Sequence, residues 1–115
     1  MPVIFHITST SQWEQAQLAG IYQGDTLASE GFIHCSTLQQ VEGVANRYFT
    51  GQTDLLLLCI NSDQVQAEIK YEALVGDEAY PHIYGPLNLD AVAQVVSWAP
   101  EPDGIFALPD AIANL

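Results

Sequence analysis

The chain has 115 residues, of which 49% are hydrophobic, and its 14 acidic and two basic side chains give a formal net charge of −12. This charge opposes contact with phosphate backbones and anionic lipid headgroups, so we expect no nucleic-acid or membrane partner. The length predicts a single domain over residues 1–115, and the hydrophobic fraction argues against disorder.

The longest apolar run, Leu55 to Ile60, is too short to span a bilayer, and no basic segment precedes an apolar stretch near the first residue. We therefore expect a cytoplasmic protein. The two cysteines, Cys35 and Cys59, lie in strand-like segments, and we expect free buried thiols there. Because no CxxC or HxxxH spacing occurs, no metal site is predicted.

The first third of the chain predicts a strand, a helix and a loop. Residues 3–8 are rich in β-branched and aromatic side chains, which is typical of a strand. Ser9 or Thr10 can cap a following helix that ends at Gly20. Residues 22–31 mix glycine with small polar residues and predict an exposed loop.

A second strand and helix follow this loop. Residues 32–36 predict a short strand, and Ser36 or Thr37 can cap the next helix. Its apolar side chains recur every three or four residues and form one face: Leu38, Val41, Ala45 and Phe49.

The second half of the chain predicts mainly strands. The continuous apolar run at 55–60 indicates a central strand that is covered on both faces. Residues 69–74 alternate and place Glu72 on the face of Lys70. Valine content favours a strand at 90–98. The tail beyond it is irregular, and we expect it to wrap the body and bury three apolar side chains: Ile105, Phe106 and Leu108.

Each histidine of the chain is followed two positions later by a hydroxyl side chain. The three pairs are His6 with Thr8, His34 with Ser36, and His82 with Tyr84. Residues two apart in a strand share a face, so each imidazole is expected to lie beside its hydroxyl. The His82 segment is also rich in proline, glycine and tyrosine, which predicts a constrained backbone around an aromatic pocket.

Several motifs carry a family resemblance: GFIHCS at 31–36, PHIYGPL at 81–87 with Glu72 ahead of it, and DGIF at 103–106. Over nearly the whole chain they resemble the bacterial domain-of-unknown-function family 952. The resemblance implies an α+β fold of the ADP-ribosyltransferase type. Such a fold has a split, mainly antiparallel sheet, here with two short helices, around a cleft for a nicotinamide dinucleotide.

The resemblance also implies a site. Such transferases hold the dinucleotide with an arginine, or with a histidine and a tyrosine, and a glutamate stabilises the ribosyl cation. The related RNA phosphotransferases need several arginines, whereas Arg47 is the only one here. We therefore predict three catalytic residues and three ligand contacts: His34, Glu72 and His82, and Ser36, Tyr84 and Gly85. No bound cofactor is expected, and a nicotinamide dinucleotide would enter as a substrate.

Other interpretations stay open for the same residues. His34 can bond a neighbouring carbonyl, Glu72 can pair with Lys70, and Tyr84 can pack its ring. Ser36 can serve only as a helix cap. His6, between Phe5 and Ile7, is expected to be structural.

Two other functions also stay open. The histidine and hydroxyl pairs resemble those of two-histidine cyclic phosphodiesterases, in which two imidazoles exchange protons across a phosphate. A non-catalytic acidic module that binds a metabolite or a protein is the other alternative. The oligomeric state is left open by the sequence.

Overall fold

The structure is a computed structural model, and it describes residues 3–24, 26–74 and 76–112. In chain order the elements are β1 (Val3–Ser9), α1 (Thr10–Ala19), β2 (Ile21–Tyr22), α2 (Thr26–Glu30), β3 (Ile33–His34), α3 (Leu38–Tyr48), β4 (Leu55–Asn61), β5 (Glu68–Glu72), β6 (Tyr80–Tyr84), β7 (Leu87–Asn88) and β8 (Val92–Trp98). Two short 3₁₀ turns lie at Ser62–Gln64 and Leu89–Ala91.

The strands form antiparallel sheets in the orders β1-β4-β8 and β3-β6-β5, with β2 and β7 as a separate pair. One bridge joins the two three-stranded sheets. The amide of Phe5 donates to the Ser36 carbonyl at 2.8 Å, and the amide of Ser36 donates to the Phe5 carbonyl at 2.7 Å. The predicted α+β class with mainly antiparallel strands is confirmed.

Strand β4 is the centre of its sheet, as its apolar run predicted, and residues 55–60 are buried. Alternate residues of a strand point to opposite faces, so β4 contributes to two hydrophobic clusters. Leu58 and Ile60 pack with Ile4 and Ala16 on one side. Leu57 belongs to the cluster on the other side, together with Val41 and Ala45 of α3.

The two longer helices begin and end close to the predicted residues. The Ser9 side chain caps α1 by accepting a hydrogen bond from the Gln12 amide at 3.2 Å, and Gly20 ends the helix with φ +80°. Thr37 caps α3, and the Gln40 side chain accepts from the Thr37 amide at 3.0 Å. Ser36 is not the cap, because its backbone is bound to β1.

The loop predicted over residues 22–31 is wrong in part, because Tyr22 belongs to β2 and residues 26–30 form α2. The described residues therefore form three helices instead of the two predicted. Tyr22 is only 1% exposed. The Thr26 hydroxyl donates to the Phe32 carbonyl at 2.8 Å, and Leu27 packs against the core. These tertiary contacts stabilise elements that are too short to give a periodic sequence pattern.

The tail wraps the body, but with a different set of buried residues. Phe106 is buried against Trp98 with the ring centroids 5.2 Å apart, and the Trp98 indole donates to the Ala107 carbonyl. Leu108 is half-buried. Ile105 is 56% exposed, so its expected burial is wrong.

Both cysteines are free and buried. Burial raises the pKa of the Cys59 thiol to about 11 and raises that of Cys35 further. Neither thiol is therefore ionised near neutral pH. Within the described ranges, no helix has the length and apolar character needed to cross a membrane.

We predict that Leu57→Ala, at a fully buried position of the central strand, lowers the free energy of unfolding by about 2–5 kcal/mol. Leu18→Ala is the matched control, because Leu18 is 91% exposed on α1 and should change that value by less than about 0.5 kcal/mol. Urea unfolding of both variants measures the difference. Equal losses would contradict the assignment of β4 as the core strand.

Candidate functional site

The candidate site is built on one face of the sheet β3-β6-β5. His34 on β3 is paired with His82 on β6, and His82 is paired with Lys70 on β5. Residues directly opposite each other in antiparallel strands project to the same face. Two imidazoles and one ammonium group therefore form a row across three strands.

Glu72 reaches across this face to two residues of β6. Its register partner is Tyr80, yet its carboxylate accepts hydrogen bonds from His82 Nδ1 at 2.9 Å and from the Tyr84 hydroxyl at 2.5 Å. Both donors bind the same atom, Oε1. The second oxygen, Oε2, makes no hydrogen bond with any residue that the structure describes.

These bonds set the ionisation of the two partners. The hydrogen bond from Tyr84, followed by that from His82, lowers the pKa of Glu72. The same bond to Glu72 raises the pKa of Tyr84, because it favours the protonated hydroxyl. At neutral pH the site therefore contains a carboxylate and a neutral phenol.

The bond to Glu72 also fixes the tautomer of His82. A carboxylate can only accept, so Nδ1 carries a proton and, in the neutral ring, Nε2 keeps a lone pair. His82 is 3% exposed, and its Nε2 has no hydrogen-bond partner in the described part of the chain. Every fully buried side-chain nitrogen or oxygen in that part has a partner. The Nε2 atom must therefore retain some contact with solvent.

Aromatic rings surround this imidazole. Phe32, which is 6% exposed, lies with its ring centroid 4.4 Å from His82, 4.7 Å from His34 and 5.2 Å from Tyr84. The two imidazoles meet edge to face at 5.4 Å. Phe32 thus packs against all three polar rings and places an apolar side chain beside His82.

His34 is the more exposed of the two imidazoles in the row. Its side chain is 47% exposed, and Nε2 lies 3.0 Å from the Glu30 carboxylate at the end of α2. The His34 backbone is held from the other side, because its carbonyl accepts a hydrogen bond from His6 Nδ1 at 2.5 Å. The His34 ring is thereby positioned at the rim of the face, where it can meet a ligand.

His6 has the structural position that its sequence context predicted. Besides the bond to His34, its Nε2 lies 2.7 Å from the Tyr22 hydroxyl. Tyr22 in turn contacts Thr8 at 2.9 Å, and Thr8 contacts Gln12 at 2.8 Å. This network ties α1, β1 and β2 to the backbone of β3.

Four of the six predicted site residues come together: His34, Glu72, His82 and Tyr84. Ser36 is buried, pairs through its backbone with β1, and makes no hydrogen bond to the four. Gly85 follows β6, and a Cβ there would lie 2.9 Å from the Cβ of Ala67. Packing against Ala67 therefore explains the glycine without a ligand.

Three further residues contribute to this site and were not predicted as parts of it: Phe32, Glu30 and Lys70. Phe32 could have been found from alternation, since it stands two residues before His34. Lys70 was placed only as a partner for Glu72. Glu30 had no signal, because α2 was not predicted.

No group of three or more histidine, cysteine, aspartate or glutamate side chains suited to a metal ion occurs among residues 3–24, 26–74 and 76–112. Two surface hollows, of about 530 and 400 Å³, lie beside α1. None of the residues that line them belongs to the row or to its carboxylate. The candidate site is thus distinct from both hollows.

The fold and the site together define the class of this protein. It is an α+β domain with a hydrogen-bonded histidine and glutamate pair on one face of a sheet. Residues 7–95 match the model of a family described as "Protein of unknown function (DUF952)". The chain belongs to this family.

Solved structures of protein CC0527 from Caulobacter crescentus are similar over almost the full length. Its X-ray structure is 31% identical with a TM-score of 0.88, and the match covers 96% of this chain and 98% of that one. Its solution NMR structure is 32% identical with a TM-score of 0.84, and the match covers 98% of both chains. The comparison with curated proteins found no match.

We predict that Tyr84→Phe raises the pKa of Glu72 toward its ordinary value, because the strongest hydrogen bond to the carboxylate is lost. Titration of the Glu72 side-chain carbon by NMR measures this pKa. Tyr71→Phe is the control, since Tyr71 lies on the same strand, alternates to the opposite face and is 54% exposed. An unchanged pKa in Tyr84→Phe would contradict the assigned bond.

The free energy of unfolding should depend on pH in the direction that the lowered pKa of Glu72 sets. A carboxylate whose pKa is lower in the folded state stabilises the fold above its unfolded pKa. That stabilisation is lost as the pH falls through the folded value. The difference in unfolding free energy between the wild type and Glu72→Gln should therefore shrink on acidification.

Proposed function

We propose that this face binds a small molecule of the nucleotide or ADP-ribose type and that His82 is the general base of a group-transfer reaction on it. One observation carries the proposal. His82 donates from Nδ1 to Glu72, while Nε2 is not fully buried and has no hydrogen-bond partner in the described chain. An imidazole held this way accepts a proton from a substrate that reaches Nε2.

Glu72 contributes charge as well as orientation. Its pKa is lowered, chiefly by Tyr84, so the carboxylate is ionised at neutral pH. The resulting negative charge stabilises the imidazolium that forms when His82 takes a proton. The Oε2 atom adds an anionic surface that can stabilise positive charge on a substrate carbon.

The aromatic groups supply a surface for a flat ring. The centroid of the Phe32 ring lies 4.4 Å from that of His82 and 5.2 Å from that of Tyr84, and the His34 and His82 centroids are 5.4 Å apart. A nucleobase or a nicotinamide ring has the shape and polarity to pack against such a wall. The resemblance to family 952 implied an ADP-ribosyltransferase-like fold, and on that expectation we propose a nicotinamide dinucleotide as the donor.

With that donor, the bond between the ribosyl carbon and the nicotinamide nitrogen breaks, and the nicotinamide ring leaves with the electron pair. A hydroxyl oxygen of the acceptor forms the new bond to the same carbon. The proton of that hydroxyl passes to His82 Nε2. Glu72 stabilises the positive charge that the ribosyl carbon carries between these events.

The two-histidine phosphodiesterase gains no support from the contacts of His6. That mechanism needs the His6 and His34 rings to face one phosphate. Both ring nitrogens of His6 are engaged instead, one with the His34 carbonyl and one with Tyr22. The Thr8 hydroxyl is likewise engaged with Tyr22 and Gln12.

NMR titration of protein with isotope-labelled histidine side chains tests the binding of nicotinamide dinucleotide. We expect the ring resonances of His34 and His82 to move at millimolar ligand, and those of His6 to move less. Release of nicotinamide tests catalysis, and His82→Gln should slow it by about a hundredfold or more. Glu68→Gln is the control, because Glu68 lies on β5 near the site without a hydrogen bond to it.

Each result has a separate meaning. Unmoved His34 and His82 resonances with both the dinucleotide and ADP-ribose would contradict the ligand class. Binding without release of nicotinamide would contradict the general-base role. The protein would then be a non-catalytic binding module.

A further inference from the structure

Lys70 is the only lysine in the chain, and Arg47 is the only other side chain with a permanent positive charge. The fold places this lysine directly opposite His82 on the face of the candidate site. Its Nζ lies 4.8 Å from the centroid of the Tyr84 ring, whose hydroxyl binds Glu72. One of the two cations of an acidic protein is therefore part of this site.

The ammonium group has no ion-pair partner among the residues that the structure describes. Glu68 and Glu72 flank Lys70 on the same strand face, yet no carboxylate of the described residues lies within 4.0 Å of Nζ. The pKa of Glu72 is lowered chiefly by Tyr84, and attraction to Lys70 is the weakest of the causes. The carboxylate turns toward His82 and Tyr84, and the ammonium rests on the phenol ring.

We propose that Lys70 determines ligand specificity by binding a phosphate group of the ligand. This assignment rests on the proposed function and specifies which part of the ligand is recognised. The phosphate binds at the Lys70 end of the row, while His82 Nε2 faces the reacting atoms. An ammonium with free donors is a phosphate ligand that acts as a point charge.

The excess of acidic residues in the rest of the protein makes the position of Lys70 selective for a phosphate group. With a net charge of −12, the protein repels anions over most of its surface. A phosphate gains a favourable contact only where a cation outweighs that field at short range. Lys70 offers such a contact, because no carboxylate of the described residues lies within 4.0 Å of its Nζ, and its partner in the row, His82, packs against Phe32.

Two probes that differ in their phosphates test the assignment: ADP-ribose and adenosine. In the wild type we expect ADP-ribose to bind more tightly, and its affinity to fall as salt is added. Lys70→Gln should reduce the affinity for ADP-ribose by about tenfold and leave that for adenosine unchanged. Lys70→Arg, which retains the charge, should restore most of the difference.

Arg47→Gln is the matched control, because it removes the same charge from the exposed surface of α3. It should leave the ratio of the two affinities unchanged. The role of Lys70 would be overturned if Lys70→Gln weakened the binding of both probes equally, or if Lys70→Gln and Arg47→Gln had equal effects. Either result would leave the proposed function standing. If the wild type bound neither ADP-ribose nor adenosine, both the proposed function and the role of Lys70 would be overturned.

Discussion

The hydrogen bond from His82 Nδ1 to Glu72 is the interaction on which the candidate site depends. It joins two strands, places a negative charge beside a nearly buried imidazole and leaves the opposite nitrogen without a hydrogen-bond partner among the described residues. Without the carboxylate, the ring would have no fixed tautomer and no partner for a proton it accepts. The Tyr84 hydroxyl strengthens the arrangement, because it binds the same oxygen and keeps Glu72 ionised.

The surrounding fold supplies the precision. The antiparallel register of β3, β6 and β5 brings three nitrogen-bearing side chains into one row, and the Phe32 ring packs against both imidazoles. The bridge between Phe5 and Ser36 and the bond from His6 tie the segment of β3 to the sheet β1-β4-β8. The hydrophobic core around β4 is therefore connected to the site through backbone contacts, which lets a small domain hold its polar side chains in place.

Local patterns in the sequence were sufficient for the strong elements. The run at 55–60 predicted the central strand, because a strand buried on both faces has no polar positions. The two longer helices followed from their caps. In contrast, α2 has five residues, and it is stabilised by tertiary packing, since Leu27 lies against the hydrophobic core. Ile105 was expected in the core from its hydrophobicity, but the tail turns Phe106 inward instead. The site followed the same division: residue types and alternation nominated His34 and His82, and the family resemblance nominated Glu72. Two other features depend on the geometry between strands, which a single sequence does not give. Glu72 binds Tyr84 and not its register partner Tyr80, and Lys70 forms no ion pair with the described carboxylates.

The tautomer of His82 tests the central claim most directly. Nitrogen-15 NMR of the imidazoles distinguishes a proton on Nδ1 from one on Nε2. In the wild type at neutral pH, the neutral His82 ring should carry its proton on Nδ1. Glu72→Ala should abolish that preference, and Glu68→Ala should leave it unchanged. A proton on Nε2 in the wild type, or a tautomer that does not respond to the loss of Glu72, would contradict the account.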